Sequence, residues 1–279
     1  MKNFLDIETK SLAEAQVVIV PFGFEATTTY GYGSSNGPRA IIEASSQVEL
    51  FDEELWQETY KKVAIATMPK KKPVLKNLEG DIKEIIKNKK LPIVLGGEHS
   101  ITPFIMKAYE SVGHKDFSIL QFDAHADLRD GYLGEKYSHA AAMRRVLDFD
   151  GVNLVQVGIR NISNENDELT FWEKNQSRIK TFWAKDKKNW QIEEIVKNLK
   201  NKVYISFDVD VFDSGIMPST GTPEPGGLDW YEALDVLRAV CAKRQIIGAD
   251  FVELAPIKNF HAPDFLVAKL IYRFIGYLF

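Results

Sequence analysis

The sequence predicts an α/β fold, with a mainly parallel sheet of about eight strands covered by helices on both faces. Short runs rich in β-branched residues alternate with segments of helical period. No linker or low-complexity stretch interrupts the series, and the polar clusters capable of chemistry sit directly behind apolar runs. Taken in order, the run at 15–22 (AQVVIVPF) precedes a helical pattern at 38–51, 63–67 (VAIAT) precedes 75–87, and 92–97 (PIVLGG) precedes 100–112. Then 118–122 (SILQF) is followed by 138–149, 153–159 (NLVQVGI) by a charged stretch, and 178–184 (RIKTFWA) by 189–200. Finally 203–207 (VYISF) leads to 229–240, and 246–254 (IIGADFVEL) to 263–278. Read as one domain over residues 1–279, the chain is long enough to bury a substantial core.

Composition narrows the class of function. With 45% hydrophobic residues and a net charge of −4, the chain is an ordinary globular protein. Lys70–Lys72 and Lys187–Lys188 are isolated runs, read as solvated loops, so no nucleic-acid partner is expected. The N-terminal stretch carries acids where a secretory signal has an apolar core, and no segment reaches the roughly 20 apolar residues of a membrane helix. A soluble, cytoplasmic protein with no membrane partner is the expectation. The single cysteine, Cys241, lies in a helical pattern and reads as a small buried hydrophobe.

The chemistry concentrates in two acidic clusters, Asp123-Ala-His125-Ala-Asp127 and Asp208-Val-Asp210, each at the end of an apolar run. Alternate residues of an extended chain share a face, so Asp123, His125 and Asp127 can converge, as can Asp208 and Asp210. His99, after the run PIVLGG, adds a second imidazole. Four carboxylates packed together repel and take up protons unless strong positive charge holds them, which two divalent cations supply. Any one of these residues alone is equally compatible with a helix cap or a turn acid. Gly96-Gly97 lacks the surrounding pattern of either phosphate-binding loop, so nucleotide binding has no mechanism here.

LGGEHS, FDAHADL, SFDVDVFD, TGTPEPGGL and DFVEL, in that order, resemble the ureohydrolases, the family of arginases, agmatinases and formiminoglutamases. The likeness runs from PFGFEATTTYGYGSSNGPRAIIEAS to DFVELAP, and the ordered set is far more specific than any one motif. It implies a three-layer α/β/α sandwich on an eight-stranded parallel sheet. It also implies His99, Asp123, Asp127 and Asp208 around one metal and His125, Asp123, Asp208 and Asp210 around the other, with Asp123 and Asp208 bridging. One imidazole per metal among oxygens is a hard ligand set, which suits two manganese ions, the usual metal of that family, better than zinc.

On the same resemblance, water activated by the metal pair attacks the guanidinium carbon, Asp127 holds the nucleophile and passes its proton to the leaving nitrogen, and Glu253 pairs with the guanidinium nitrogens. His139 corresponds to a proton-relaying histidine, although relatives show His-Gly where this chain has His139-Ala140. Ser138 reads as a helix N-cap, which leaves His139 open to being a first-turn residue without a task. His114 is expected in an exposed loop and His261 near the entrance, while the loop from Gly221 to Gly227 is expected beside the site.

The resemblance implies a small guanidino compound as substrate. The stretch LRDGYLGEKYS departs from the arginase pattern, and GTPEPGGL with GPRAIIEAS is closer to agmatinase-like members, so agmatine cleaved to putrescine and urea is the first expectation. Arg129 could grip a carboxylate, which keeps guanidinobutyrate and formiminoglutamate open beside arginine and aminopropylagmatine. A catalytically weakened metal-binding subunit is the alternative of another class. Single-zinc deacetylases of related fold lack the second Asp-x-Asp pair. The resemblance further suggests a trimer or hexamer, and the aromatic segment 270–279 reads as core helix ahead of interface.

Overall fold

Parallel strands buried on both faces need apolar side chains at nearly every position, and eight of the runs above meet that need. The computed structural model describes residues 2–8 and 10–279, so Met1 and Thr9 of the N-terminal stretch lie outside the described residues. The eight sheet strands are β1 (Val17–Phe22), β4 (Ile65–Thr67), β5 (Leu91–Gly96), β6 (Phe117–Phe122), β7 (Val152–Ile159), β8 (Ile179–Trp183), β9 (Lys202–Asp208) and β10 (Gln245–Val252). They form one sheet in the order β4-β1-β5-β10-β9-β6-β7-β8, every pairing parallel. The remaining two, β2 (Phe51–Asp52) and β3 (Gln57–Glu58), make a small antiparallel hairpin.

Helices cover both faces. Val17 and Ile19 of β1 join one core with α1 (Gly37–Ser45), α7 (Ile192–Lys197), α8 (Trp230–Lys243) and α9 (Ala262–Leu278). Val18 and Val20 join the other, with α3 (Leu75–Lys87), α4 (Thr102–Ser111) and α5 (Ala142–Val146). The α/β/α sandwich expected from the pattern is therefore present. The short helices α2 (Thr59–Lys62) and α6 (Glu168–Lys174) complete the set. Helix α8 starts on a capping box between Asp229 and Glu232. Helix α9 buries Leu270, Ile271, Phe274 and Ile275, in line with the core reading of the C-terminal segment.

Local departures have local causes. The pattern at 38–51 is helical only to Ser45, because Phe51 and Asp52 pair with the hairpin and Arg273, buried in α9, binds Asp52 at 2.8 Å. At 138–149 the chain forms a single 3-10 turn, His139–Ala141, before the short α5. Lys187 is no free loop residue, since its ammonium donates to the Gly227 carbonyl and to Glu232. Cys241 packs against the core, and burial pushes its thiol up to about 12.

The strand order decides where chemistry can occur. Strands β9 and β10 are last in sequence but lie between β5 and β6, so the carboxyl ends of four adjacent strands open into one crevice, the usual ligand position in such sheets. Phe122, Phe207 and Phe251 stack beneath it with centroids 4.8 and 5.5 Å apart, holding β6, β9 and β10 in register directly before the acidic turns.

Candidate metal centre

Each of the four central strands delivers its polar residues to this crevice. After β5 the chain turns sharply, and Gly97 permits it, because a Cβ there would lie 1.9 Å from the Phe24 carbonyl oxygen. This places His99, fully buried, with Nδ1 3.0 Å from Asp127, 3.2 Å from Asp123 and 3.5 Å from Asp208. His125 directs its own Nδ1 at Asp210 (2.9 Å) and Asp123 (3.6 Å). Two groups with metal-ligand spacing result, His99-Asp123-Asp208 and Asp123-His125-Asp210, and Asp123 belongs to both. Asp208 falls in the first group alone, its Oδ1 occupied by the Asp210 N–H at 2.9 Å.

The surrounding hydrogen bonds fix which atoms face inward. Ser206 donates its only proton to Asp250 (2.8 Å), so it accepts from His99 Nε2 (2.8 Å) and leaves His99 Nδ1 as the lone-pair nitrogen. Tyr204 and Thr102 also donate to the fully buried Asp250. His99 Nδ1 is itself buried without a hydrogen-bond partner, as expected of an atom that binds a metal. Gln121 donates to Asp123 (2.7 Å) and is gripped in turn by Gln156 and, through it, Thr181. Arg160 donates to the carbonyls of Asp210, Glu224 and Pro225, tying the 220–227 loop to the Asp210 turn. These supporting residues escaped the sequence reading. Their signal was a polar residue interrupting a buried strand, as in SILQF, NLVQVGI and IIGADFVEL.

Charge in this crevice behaves as anion crowding dictates. Burial, then the charge of Asp123, pushes Asp127 up to about 7, and burial pushes Glu253 up to about 8. Burial and then Asp210 raise Asp208 well above the carboxylate range. For His99 burial works downward, but Asp123 and Asp127 override it and raise its pKa. Four carboxylates and two imidazoles that each turn Nδ1 toward them form a donor set that suits hard divalent cations. Asp127 and Glu253 also hold left-handed backbone, with φ of 54° and 64°.

A pH dependence follows. Asp127 and Glu253 have ordinary values of 3.8 and 4.5 and folded values of about 7 and 8. The folded protein binds the extra protons in that window, so this stability is present at low pH and is lost as pH rises from about 4 to about 8. A divalent cation expels the protons, and its stabilisation grows in the same direction. The rise in melting temperature when Mn2+ is added to chelator-treated protein should therefore be larger at about pH 8 than at about pH 6. A rise that shrinks with pH would contradict the ligand set.

The remaining predicted residues fall as follows. Glu253 and His139 line the same cleft, of about 250 Å³, together with Arg129, Tyr132, Glu168 and Glu224. The 220–227 loop is at its rim, where Gly31 donates to the Gly221 carbonyl at 3.2 Å. Ser138 precedes the 3-10 turn but makes no side-chain cap, and its hydroxyl lies 3.4 Å from His139 Nδ1. His114 is half-buried against the Tyr109 ring and not exposed. His261 lies in a separate surface hollow beside Asp264, away from the entrance. No helix among the described residues is long and apolar enough to cross a membrane.

The model of the arginase family matches residues 15–276. An N(1)-aminopropylagmatine ureohydrolase from Synechocystis is 40% identical over 99% of this chain and 94% of its own, and an agmatinase from Pyrococcus horikoshii is 32% identical over 98% and 95%. The crystal structure of an agmatine ureohydrolase from Thermoplasma volcanium superposes with a TM-score of 0.87 at 28% identity, covering 100% of this chain and 94% of that one. With nearly its whole length inside the family model and 40% of its residues shared with a ureohydrolase, the chain belongs to the arginase family and is a ureohydrolase that cleaves a guanidino C–N bond.

Proposed function

We propose that the protein hydrolyses an amine-bearing guanidine of the agmatine type, either agmatine or its N1-aminopropyl derivative, to urea and the corresponding polyamine, using two manganese ions. The charge of the cleft carries this reading. Apart from the ligand cluster and Glu253 it presents Glu168 and Glu224, against the single cation Arg129. Arg129 lies 3.6 Å from Glu165 and 3.8 Å from Glu168 and stacks on Tyr132 at 4.5 Å, so two of the chain's own carboxylates flank its charge. A cationic tail fits such a cleft better than a carboxylate does. The two named activities of similar proteins point the same way.

A guanidinium carbon is resonance-stabilised and resists neutral water. His99, Asp123, Asp127, Asp208, His125 and Asp210 would hold the metal pair, which would lower the pKa of a water so that hydroxide is available at neutral pH. Glu253 is buried and anchored by the His99 backbone N–H at 2.6 Å, and its anion is costly there until a guanidinium arrives to pair with it. That pairing fixes the carbon opposite the ligand cluster. Asp127 takes the nucleophile's proton and delivers it to the leaving nitrogen. His139 passes protons between the cleft and solvent.

The test is urea release with added Mn2+ from agmatine, N1-aminopropylagmatine, guanidinobutyrate, arginine and formiminoglutamate, the last scored by formamide. The amine-tailed pair should exceed the carboxylates in kcat/KM by about 10²-fold, the scale of a buried charge mismatch. Preference for guanidinobutyrate or formiminoglutamate would assign Arg129 to substrate and overturn the reading.

A further inference from the structure

Thr27 stands in the loop after β1, 112 residues from His139, yet its hydroxyl is saturated by three contacts that leave one assignment of protons. Glu98, fully buried, accepts from the Ala26 and Thr27 backbone N–H groups at 2.7 Å each, from Ser100 Oγ, and from Thr27 Oγ1 at 3.0 Å. A carboxylate oxygen cannot donate, so the only proton of Thr27 Oγ1 is committed to Glu98. The same oxygen then accepts from the His139 backbone N–H at 3.0 Å, and its last lone pair faces His139 Nδ1 at 3.1 Å. That contact is a hydrogen bond only if Nδ1 carries the proton.

We propose that Thr27, oriented by Glu98, is a positioning residue that holds His139 as its Nδ1–H tautomer, so that Nε2 is the atom that accepts and returns protons in the cleft. The inference rests on the proton-relay role proposed for His139. Free imidazole side chains favour the opposite tautomer, with the proton on Nε2, and without Thr27 most of the His139 population would present a donor where the relay needs an acceptor. Burial holds His139 below its ordinary pKa, so the neutral ring with one bare nitrogen is the form present at neutral pH. Tyr132 stands edge-on to the ring at 6.4 Å. The logic matches that of His99, where Ser206 and Asp250 commit Nε2 and free Nδ1. The two histidines are turned in opposite senses because one serves a metal and the other a proton.

The experiment combines kinetics with nitrogen NMR. In Mn2+-loaded enzyme, Thr27→Val should lower kcat by about 10- to 100-fold with KM changed by less than about twofold, since acid–base positioning and not binding is lost. Its metal content should equal wild type, and Thr27→Ser, which restores the hydroxyl, should return most of the rate. In 15N-histidine-labelled protein with Mg2+, long-range spectra should show His139 protonated on Nδ1 in the wild type, with the proton shifted to Nε2 in Thr27→Val; loss of the signal in His139→Asn assigns it. An Nε2–H tautomer in the wild type overturns the inference even if Thr27→Val does not fold, as does an unchanged kcat in Thr27→Val while His139→Asn is impaired. Unchanged turnover in His139→Asn would instead remove the relay role itself.

Discussion

Asp123→Asn is expected to release the metals and abolish nearly all turnover. Asp123 is the one residue common to both ligand groups, and its two oxygens face different histidines, Oδ2 toward His99 at 3.2 Å and Oδ1 toward His125 at 3.6 Å. Asparagine keeps the shape and can still accept the His125 backbone N–H that Oδ1 accepts at 2.6 Å, so folding should survive. It removes one negative charge from the centre and turns the oxygen facing His99 into an amide nitrogen, which cannot serve as a ligand. Metal assistance is worth several kcal/mol, and ~4 kcal/mol corresponds to about 10³ in rate. Asp208→Asn should fall short of this, because Asp208 belongs to the first group alone. Full metal occupancy in Asp123→Asn would remove it from the centre.

Glu253→Gln is expected to keep both metals and lose turnover by about 10²-fold or more, the scale of removing a charged partner from a buried guanidinium. Glutamine can still accept the His99 N–H that holds the position at 2.6 Å. The charge of Glu253 is among the influences that raise Asp208, after burial, Asp210 and Asp123, so neutralising it eases the ionisation of a ligand. Both metals should stay bound, since Glu253 belongs to neither ligand group. Loss of metal in this variant would show that Glu253 serves the centre and not the substrate.

The ligands were readable because they lie close together in sequence directly behind apolar runs, although the chain that brings them together is not extended, since Val209–Val211 is a 3-10 turn and Asp127 has a φ of 54°. The parallel sheet was readable for a related reason: strands such as VYISF and PIVLGG are apolar on both faces. The support of the site was not readable. Ser206 reaches His99 across 107 residues and Asp250 across 44, contacts that exist only because β9 and β10 insert between β5 and β6. Glu98 stands beside His99 in LGGEHS, and nothing in its neighbourhood announced that it would bind Thr27, which in turn bonds to His139 on a distant turn. Ser138 misled in the opposite way, since its position before a helical pattern suggested a cap that its side chain does not make.

The central claim is that six side chains from three strand ends build one centre for two cations. Elemental analysis after saturation with Mn2+ and desalting tests it most directly. The account predicts about two ions per chain in the wild type and in Glu253→Gln, and fewer than about one in Asp123→Asn. One ion or none in the wild type, or equal occupancy in the wild type and Asp123→Asn, would contradict it.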